Sequence, residues 1–173
     1  GGKVIGTFES LINPTTTKQA FYVIDYLGGG TYERDFILPN EQYGKDLPKE
    51  EFVSYIRGTE ITLNGAEKLV DRIKPYFNRE GETFISHQHA PSKREIGAPE
   101  LTKFGNVYYF AHPIFTLYRK NAPQFIKEIF SDVLAECVTH KQLSHNGPSS
   151  LQITANTSKD QDVIVLHGLH YLT

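Results

Sequence analysis

The sequence predicts an α/β fold, with a small mixed or parallel sheet flanked by helices and closed by a β-hairpin. Three observations carry that expectation. The short apolar run Lys3-Val4-Ile5-Gly6-Thr7 leads into a helix-forming stretch. The aromatic run Asn106 to Ala111 leads into the strongest amphipathic pattern of the chain. Beyond residue 150, two alternating runs flank a turn.

Taken in order, the first strand is followed by Asn13-Pro14-Thr15-Thr16-Thr17, which supplies helix N-caps and a proline near the first turn. A helix over Thr16 to Tyr26 would place Ala20, Phe21 and Ile24 on its apolar side, with Leu27 just beyond, and stop at Gly28-Gly29-Gly30. Those glycines follow a helix, so the helix dipole has the wrong sense for a phosphate cradle. Residues 31 to 50 are polar, with Pro39-Asn40 and Leu47-Pro48, and read as an exposed excursion. Phe52, Tyr55 and Ile61 around Arg57-Gly58 suggest one or two short strands. Ala66 to Phe77 leans towards a strand, although Leu69, Val70 and Ile73 also match helical spacing.

Thr83 to His89 alternates large and polar residues, as an extended segment does. Asn106 to Ala111 is nearly continuous in its apolar character, the mark of a strand buried on both faces. Phe125, Ile126, Ile129, Phe130, Val133 and Leu134 then form a helical stripe behind Pro123. His140 to Ser150, with Asn146-Gly147-Pro148, reads as a linker. Leu151 to Asn156 and Asp162 to His167 form a hairpin around Thr157-Ser158-Lys159-Asp160. The expected organisation is one region over 1–140 and a second over 141–173.

With 173 residues the chain can bury a substantial core. A net charge of −2, spread along the length, leaves no basic stripe for nucleic acid. The apolar runs are too short to cross a bilayer, and the N-terminus lacks the succession of a signal peptide, so no membrane partner is expected. The single cysteine, Cys137, excludes an internal disulfide framework and a thiolate-rich zinc site, and fits a reducing compartment such as the cytoplasm. Its place at the end of the amphipathic helix suits packing better than nucleophilic catalysis.

Two histidines, His87 and His89, share a face if their segment is extended, and His112 offers a third imidazole. Such a set suits zinc, iron or nickel, but no Asp or Glu stands at a diagnostic distance, and the better reading is that no metal or other cofactor is held. Glycoside hydrolysis needs two carboxyl groups facing one bond; Glu80 and Glu82 are the nearest candidates and fit a solvated turn better. Tyr76, Phe77, Tyr108, Tyr109, Phe110, Phe115 and Tyr118 offer either a sugar-stacking platform or core packing, with core the default.

Several segments resemble the C-terminal half of large bacterial glycoside hydrolases, a family that includes α-L-fucosidases and proteins with a β-galactosidase-type trimerisation domain. They are Glu9-Ser10-Leu11-Ile12-Asn13-Pro14 with Tyr26-Leu27-Gly28 and Asp35; Pro75-Tyr76-Phe77-Asn78-Arg79 with Phe84, Ser86-His87-Gln88-His89 and Pro91; Val107 to Phe115 with Tyr118-Arg119; and Val165-Leu166-His167 with His170-Tyr171. The resemblance implies a class I glutamine-amidotransferase-like, flavodoxin-like layer over 1–140, followed by the start of a C-terminal β domain. It implies that the catalytic barrel and its nucleophile and acid lie upstream of Gly1, so that no catalytic residue is expected in this chain. An oligomerising accessory role follows, with a carbohydrate substrate and further copies of the chain as partners. Asn78, Arg79, His87, Gln88, His89 and His112 are the residues it suggests at the mouth of a substrate site. One departure weakens that loop's claim on sugar: the family carries a tryptophan after the Asn-Arg pair, whereas Glu80-Gly81-Glu82 stands here. Two other readings remain open, a stand-alone carbohydrate-binding or interaction module and a metal-dependent hydrolase built on His87, His89 and His112.

Overall fold

In the computed structural model, residues 2–13, 24–160 and 162–171 are described, and the chain divides into two compact units, Gly1–Cys137 and Val138–Thr173. The first unit contains β1 (Val4–Thr7), β2 (Ile24–Gly29), β3 (Asp35–Leu38), β4 (Phe52–Ser54), β5 (Thr59–Leu63), β6 (Glu67–Pro75), β7 (Ser92–Phe104), β8 (Val107–Phe110), α1 (Ile114–Asn121) and α2 (Gln124–Cys137). Six strands form one curled sheet in the order β1-β8-β7-β6-β3-β4, while β2 and β5 form a separate ribbon. Only β1 and β8 run parallel; every other pairing in the sheet is antiparallel.

This architecture corrects the expected α/β, flavodoxin-like layer. A parallel layer needs a crossover, usually a helix, between successive paired strands. Here β3 pairs with β4, β6 with β7 and β7 with β8, each directly after the other in the chain. Strands hold 40% of the structure and helices 14%. The helix expected over Thr16 to Tyr26 also fails where it can be seen. Ile24 to Gly29 is strand β2, held by pairing with β5, whereas the part before Ile24, including the Pro14 to Thr17 caps, lies outside the described residues. In β2 the pairing skips Leu27, which is left exposed in a bulge, and Gly28 absorbs the kink at φ 111°.

Residues 31 to 50 are not the exposed excursion expected. They contain β3, with Phe36 and Ile37 buried, and the buried Tyr43. Thr83 to His89 is no strand, with bends over Ser86 to His89, and the long strand β7 follows it instead.

The aromatic strand explains how the unit is layered. Tyr108 and Phe110 face α1 and α2, joining Ile37, Val70, Leu101, Ile114, Leu117, Ile126, Ile129 and Val133 in the main core. Tyr109 faces the opposite side and packs with Ile24, Ile61, Ala66 and Ala111 beneath the β2–β5 ribbon. The period of two along the strand thus sends successive rings into two cores. Pro123 separates the two helices, and α1 ends with Ala122 in the left-handed region, its N–H donating to the Tyr118 carbonyl at 2.8 Å. At the end of α2, Glu136 accepts from Tyr43 at 2.8 Å, Tyr108 at 2.6 Å and Lys103 at 3.0 Å, tying helix to sheet. Cys137 packs against the same core, and burial raises its thiol pKa.

The second unit is a hairpin of β9 (Leu151–Thr157) and β10 (Ile164–His170) in antiparallel register. It exposes large apolar side chains, Ile164 at 66% and Leu166 at 62% among them. No helix of the described residues is long and apolar enough to cross a membrane.

Candidate functional site

A charged cluster in the first unit is the most unusual feature of the interior. Its origin is a β-bulge. Between the pairs Asp71↔Pro99 and Ile73↔Ile96, the single residue Arg72 on β6 stands opposite both Gly97 and Ala98 on β7. Bulges re-aim side chains and recur beside functional sites. Here Arg72 is 3% exposed, with Nε 3.5 Å from Asp35 Oδ2 and Nη2 3.9 Å from Glu60 Oε2. Nη2 also donates to the Thr59 carbonyl at 2.9 Å.

His112 completes the cluster. It follows β8 at a turn fixed by two backbone bonds, Thr59 N–H to the Ala111 carbonyl at 2.9 Å and Ala111 N–H to the Glu100 carbonyl at 2.8 Å. The imidazole is fully buried between two carboxylates, with Nδ1 hydrogen-bonded to Glu100 and Nε2 2.8 Å from Asp35 Oδ1. The second contact is close but poorly aligned, so it is an ion pair without a well-formed hydrogen bond. Burial alone would push the imidazole pKa down, but Glu100 and Asp35 outweigh it and raise the value to about 9. His112 is therefore an imidazolium at neutral pH. Gly58 lies against this pair so closely that a Cβ there would stand 2.6 Å from Arg72 Nη1 and 2.9 Å from His112 Nε2.

A cavity of about 220 Å³ opens beside the cluster, walled by Tyr32, Asp35, Glu60, Arg72, Gly97 and Ala98, among others. Asp35 Oδ1 is met by His112 Nε2 in the ion pair alone, and Arg72 Nη1 lies against Gly58 without a hydrogen bond.

The residues singled out in the sequence fall in two places. Asn78 organises a surface loop, donating to the Thr31 carbonyl at 2.9 Å and accepting from Glu33 N–H at 3.0 Å. Arg79 lies 5.3 Å over the ring of Phe84, which is 72% exposed. His89 is half-buried, edge-on to Phe36 and Tyr55, and the exposed Gln88 accepts a bond from Arg34 through its carbonyl. Asn78, Arg79 and His89 thus line one shallow surface depression with Glu33 and Arg34. His87 is exposed, and His112 stands apart from the loop in the core cluster. The metal reading fails on this geometry. Both nitrogens of His112 face carboxylates, and among the described residues no three His, Cys, Asp or Glu side chains converge on a metal position.

Arg72, Glu60 and Glu100 carried no signal in the sequence reading. The bulge that aims Arg72 inward arises from pairing register, and only Gly97 hints at it.

The first unit is thus a curled, β-rich domain with a buried ionic cluster beside a cavity. No family model and no curated protein matches the chain. Among solved structures, the α-L-fucosidase isoenzyme 2 from Paenibacillus thiaminolyticus is similar, with 26% identity and a TM-score of 0.89 over 99% of this chain. The match covers 26% of that chain, so this sequence spans about a quarter of the fucosidase's length. In sequence and structure the chain is thus similar to one part of an α-L-fucosidase.

Proposed function

We propose that this chain is a non-catalytic accessory region of a glycoside hydrolase that acts on α-L-fucosides or related sugars. The observation that carries the reading is the match over 99% of this chain to 26% of a fucosidase. The state of the buried carboxylates supports it. A glycosidase acid or nucleophile must face the scissile bond, whereas Asp35 and Glu100 are held against His112, and Asp35 also against Arg72. The exposed Asn78 to His89 loop is the surface through which such a region would shape a substrate site, in its own polypeptide or in a neighbouring copy of a homo-oligomer. The hairpin of the second unit fits the first strands of a further β domain, whose packing would cover Ile164 and Leu166.

The test is turnover of aryl α-L-fucoside and β-D-galactoside by this chain alone and by the longer polypeptide the reading requires. Folded chain without activity, beside an active longer polypeptide, is the expected result. Turnover by the chain alone, lost on changing Asp35 or Glu60, would overturn it.

A further inference from the structure

We infer that the open depression between Arg34 and Arg79 is a binding site for the carboxylate of a small organic acid. The sheet brings these two side chains together. Strands β3 and β6 are antiparallel neighbours, with Phe36 opposite Ile73, so the residues that enter β3 stand beside those that leave β6. Asn78 locks the two stretches to each other, its side chain donating to the Thr31 carbonyl and accepting from the Glu33 N–H. Arg34 and Arg79 thus share the walls of two adjoining depressions, the larger about 230 Å³, which Glu33, Gly81, Thr83 and Phe84 complete.

Two like charges meeting at one depression repel each other, and the chain supplies neither with a counter-ion. Both residues are half-buried, and among the described residues neither guanidinium stands within ion-pair distance of a carboxylate. Each is held instead by a ring, Arg34 at 5.9 Å over Tyr55 and Arg79 at 5.3 Å over Phe84. A guanidinium stacked on a ring keeps its N–H groups, which lie in its own plane, free for other partners. Arg34 gives one of them to the Gln88 carbonyl, whereas the Arg79 guanidinium has no hydrogen bond to any described residue. Donors and positive charge are therefore both left over at this one place.

The walls choose among ligands by charge and shape. Arg34 and Arg79, set against Glu33, leave one positive charge unmatched, and Glu80 and Glu82, though near in sequence, line neither depression. A cation is repelled by the pair, and a neutral sugar leaves the charge unmatched. A sulfate or phosphate dianion brings a second negative charge against Glu33. A carboxylate carries one charge, and its two oxygens accept the paired N–H groups of an arginine fork. The ring of Phe84, 72% exposed, gives the body of the acid an apolar surface to rest on. The site shares the loop proposed above to shape a substrate site, but it rests on these side chains alone, whatever enzyme the chain belongs to.

The experiment is an NMR titration of the full chain at low salt and mildly acidic pH, read on the Gly81 amide and the Nε–H of Arg34 and Arg79. D-glucuronate is the probe, D-glucose supplies the same ring without the carboxylate, and inorganic sulfate is the dianion. Glucuronate should shift all three signals saturably, glucose should not, and sulfate should bind several-fold more weakly. Arg79→Gln removes a guanidinium with no hydrogen bond of its own and should weaken glucuronate about tenfold at an unchanged melting temperature. Glu33→Gln removes the opposing carboxylate but keeps the backbone N–H that Asn78 holds. It should tighten sulfate by about twofold or more, and by more than it tightens glucuronate, which a merely structural role would not produce. The inference is overturned if glucuronate fails to saturate these signals, if glucose or sulfate moves them as strongly, or if folded Arg79→Gln binds like the parent. Should Arg79→Gln not fold, Glu33→Gln decides alone, and unchanged affinities in it overturn the inference. None of these outcomes touches the turnover comparison, so the two readings fail separately.

Discussion

Replacing His112 with glutamine tests whether the buried cluster is ionic, and it does so through pH. In the folded chain the imidazole is faced by Asp35 from β3 and Glu100 from β7, with Arg72 from β6 paired to Asp35. Its pKa is raised from the ordinary 6.5 to about 9. The proton is thus held more tightly in the folded state than in the unfolded one. The stabilisation is fully present below pH 6.5 and is lost as pH rises through about 9. The displacement corresponds to roughly 3 kcal/mol, with a limiting slope of about 1.4 kcal/mol per pH unit. Glutamine has no proton to lose and leaves Glu100 buried without its cation and Asp35 with Arg72 alone. Removing one partner of a buried ionic cluster costs about 3–5 kcal/mol. Urea unfolding across neutral to alkaline pH should therefore show the parent falling towards the variant as pH rises, with His112→Gln lower throughout and flatter. Parallel profiles for the two proteins would refute the reasoning, as would a nitrogen NMR signal of a neutral His112 ring at neutral pH.

Other parts of the structure make separate demands. Gly58→Ala drives a Cβ to 2.6 Å from Arg72 Nη1, and because that guanidinium is pinned, thermal unfolding should show a loss of about 1–3 kcal/mol. The pKa of Glu136 is raised by burial but lowered further by bonds from Tyr108, Tyr43, Lys103 and Gln42, to about 2. Its contribution is present above the ordinary 4.5 and lost as pH falls through about 2, so Glu136→Gln should cost about 1–2 kcal/mol at neutral pH, its partial exposure allowed for, and reduce the acid sensitivity seen by circular dichroism. Ala122→Gly relieves a left-handed residue at the end of α1 and should stabilise the chain by about 0.5–1 kcal/mol in urea titration.

The parts of the fold that were legible in the sequence are those whose signal is local. Strand β8 and helix α2 announce themselves by long apolar patterns, and the β9–β10 hairpin by its turn. Strand β3 was hidden because Phe36-Ile37-Leu38 is a short apolar island in a polar stretch, buried only through pairing with β4 and β6. Strand β7 was hidden because it is rich in charge, contains Pro99 and is bulged, so period-two alternation breaks. The end of the expected N-terminal helix, Ile24 to Tyr26, was misread because Ile24 fits helical spacing as well as it fits the buried face of β2. The candidate site followed the same rule. His112 stood out as a histidine, but the spacing of His87 and His89 suggested the wrong companions. Its real partners, Asp35 and Glu100, come to it from two other strands, and no sequence interval reports that.

An imidazole between two carboxylates invites a catalytic reading, and its surroundings argue for another. A general acid or base must exchange its proton with something that reaches it, and does so best with a pKa near the working pH. His112 is 0% exposed, both ring nitrogens are engaged, and its proton is held to about pH 9. Its effect is on its neighbours. By facing Asp35 Oδ1 it balances a carboxylate that Arg72 approaches only at 3.5 Å, and so holds both side chains in place in the wall of the cavity. That arrangement gives His112 a structural role, the holding of Asp35 beside Arg72 and of Glu100 on β7.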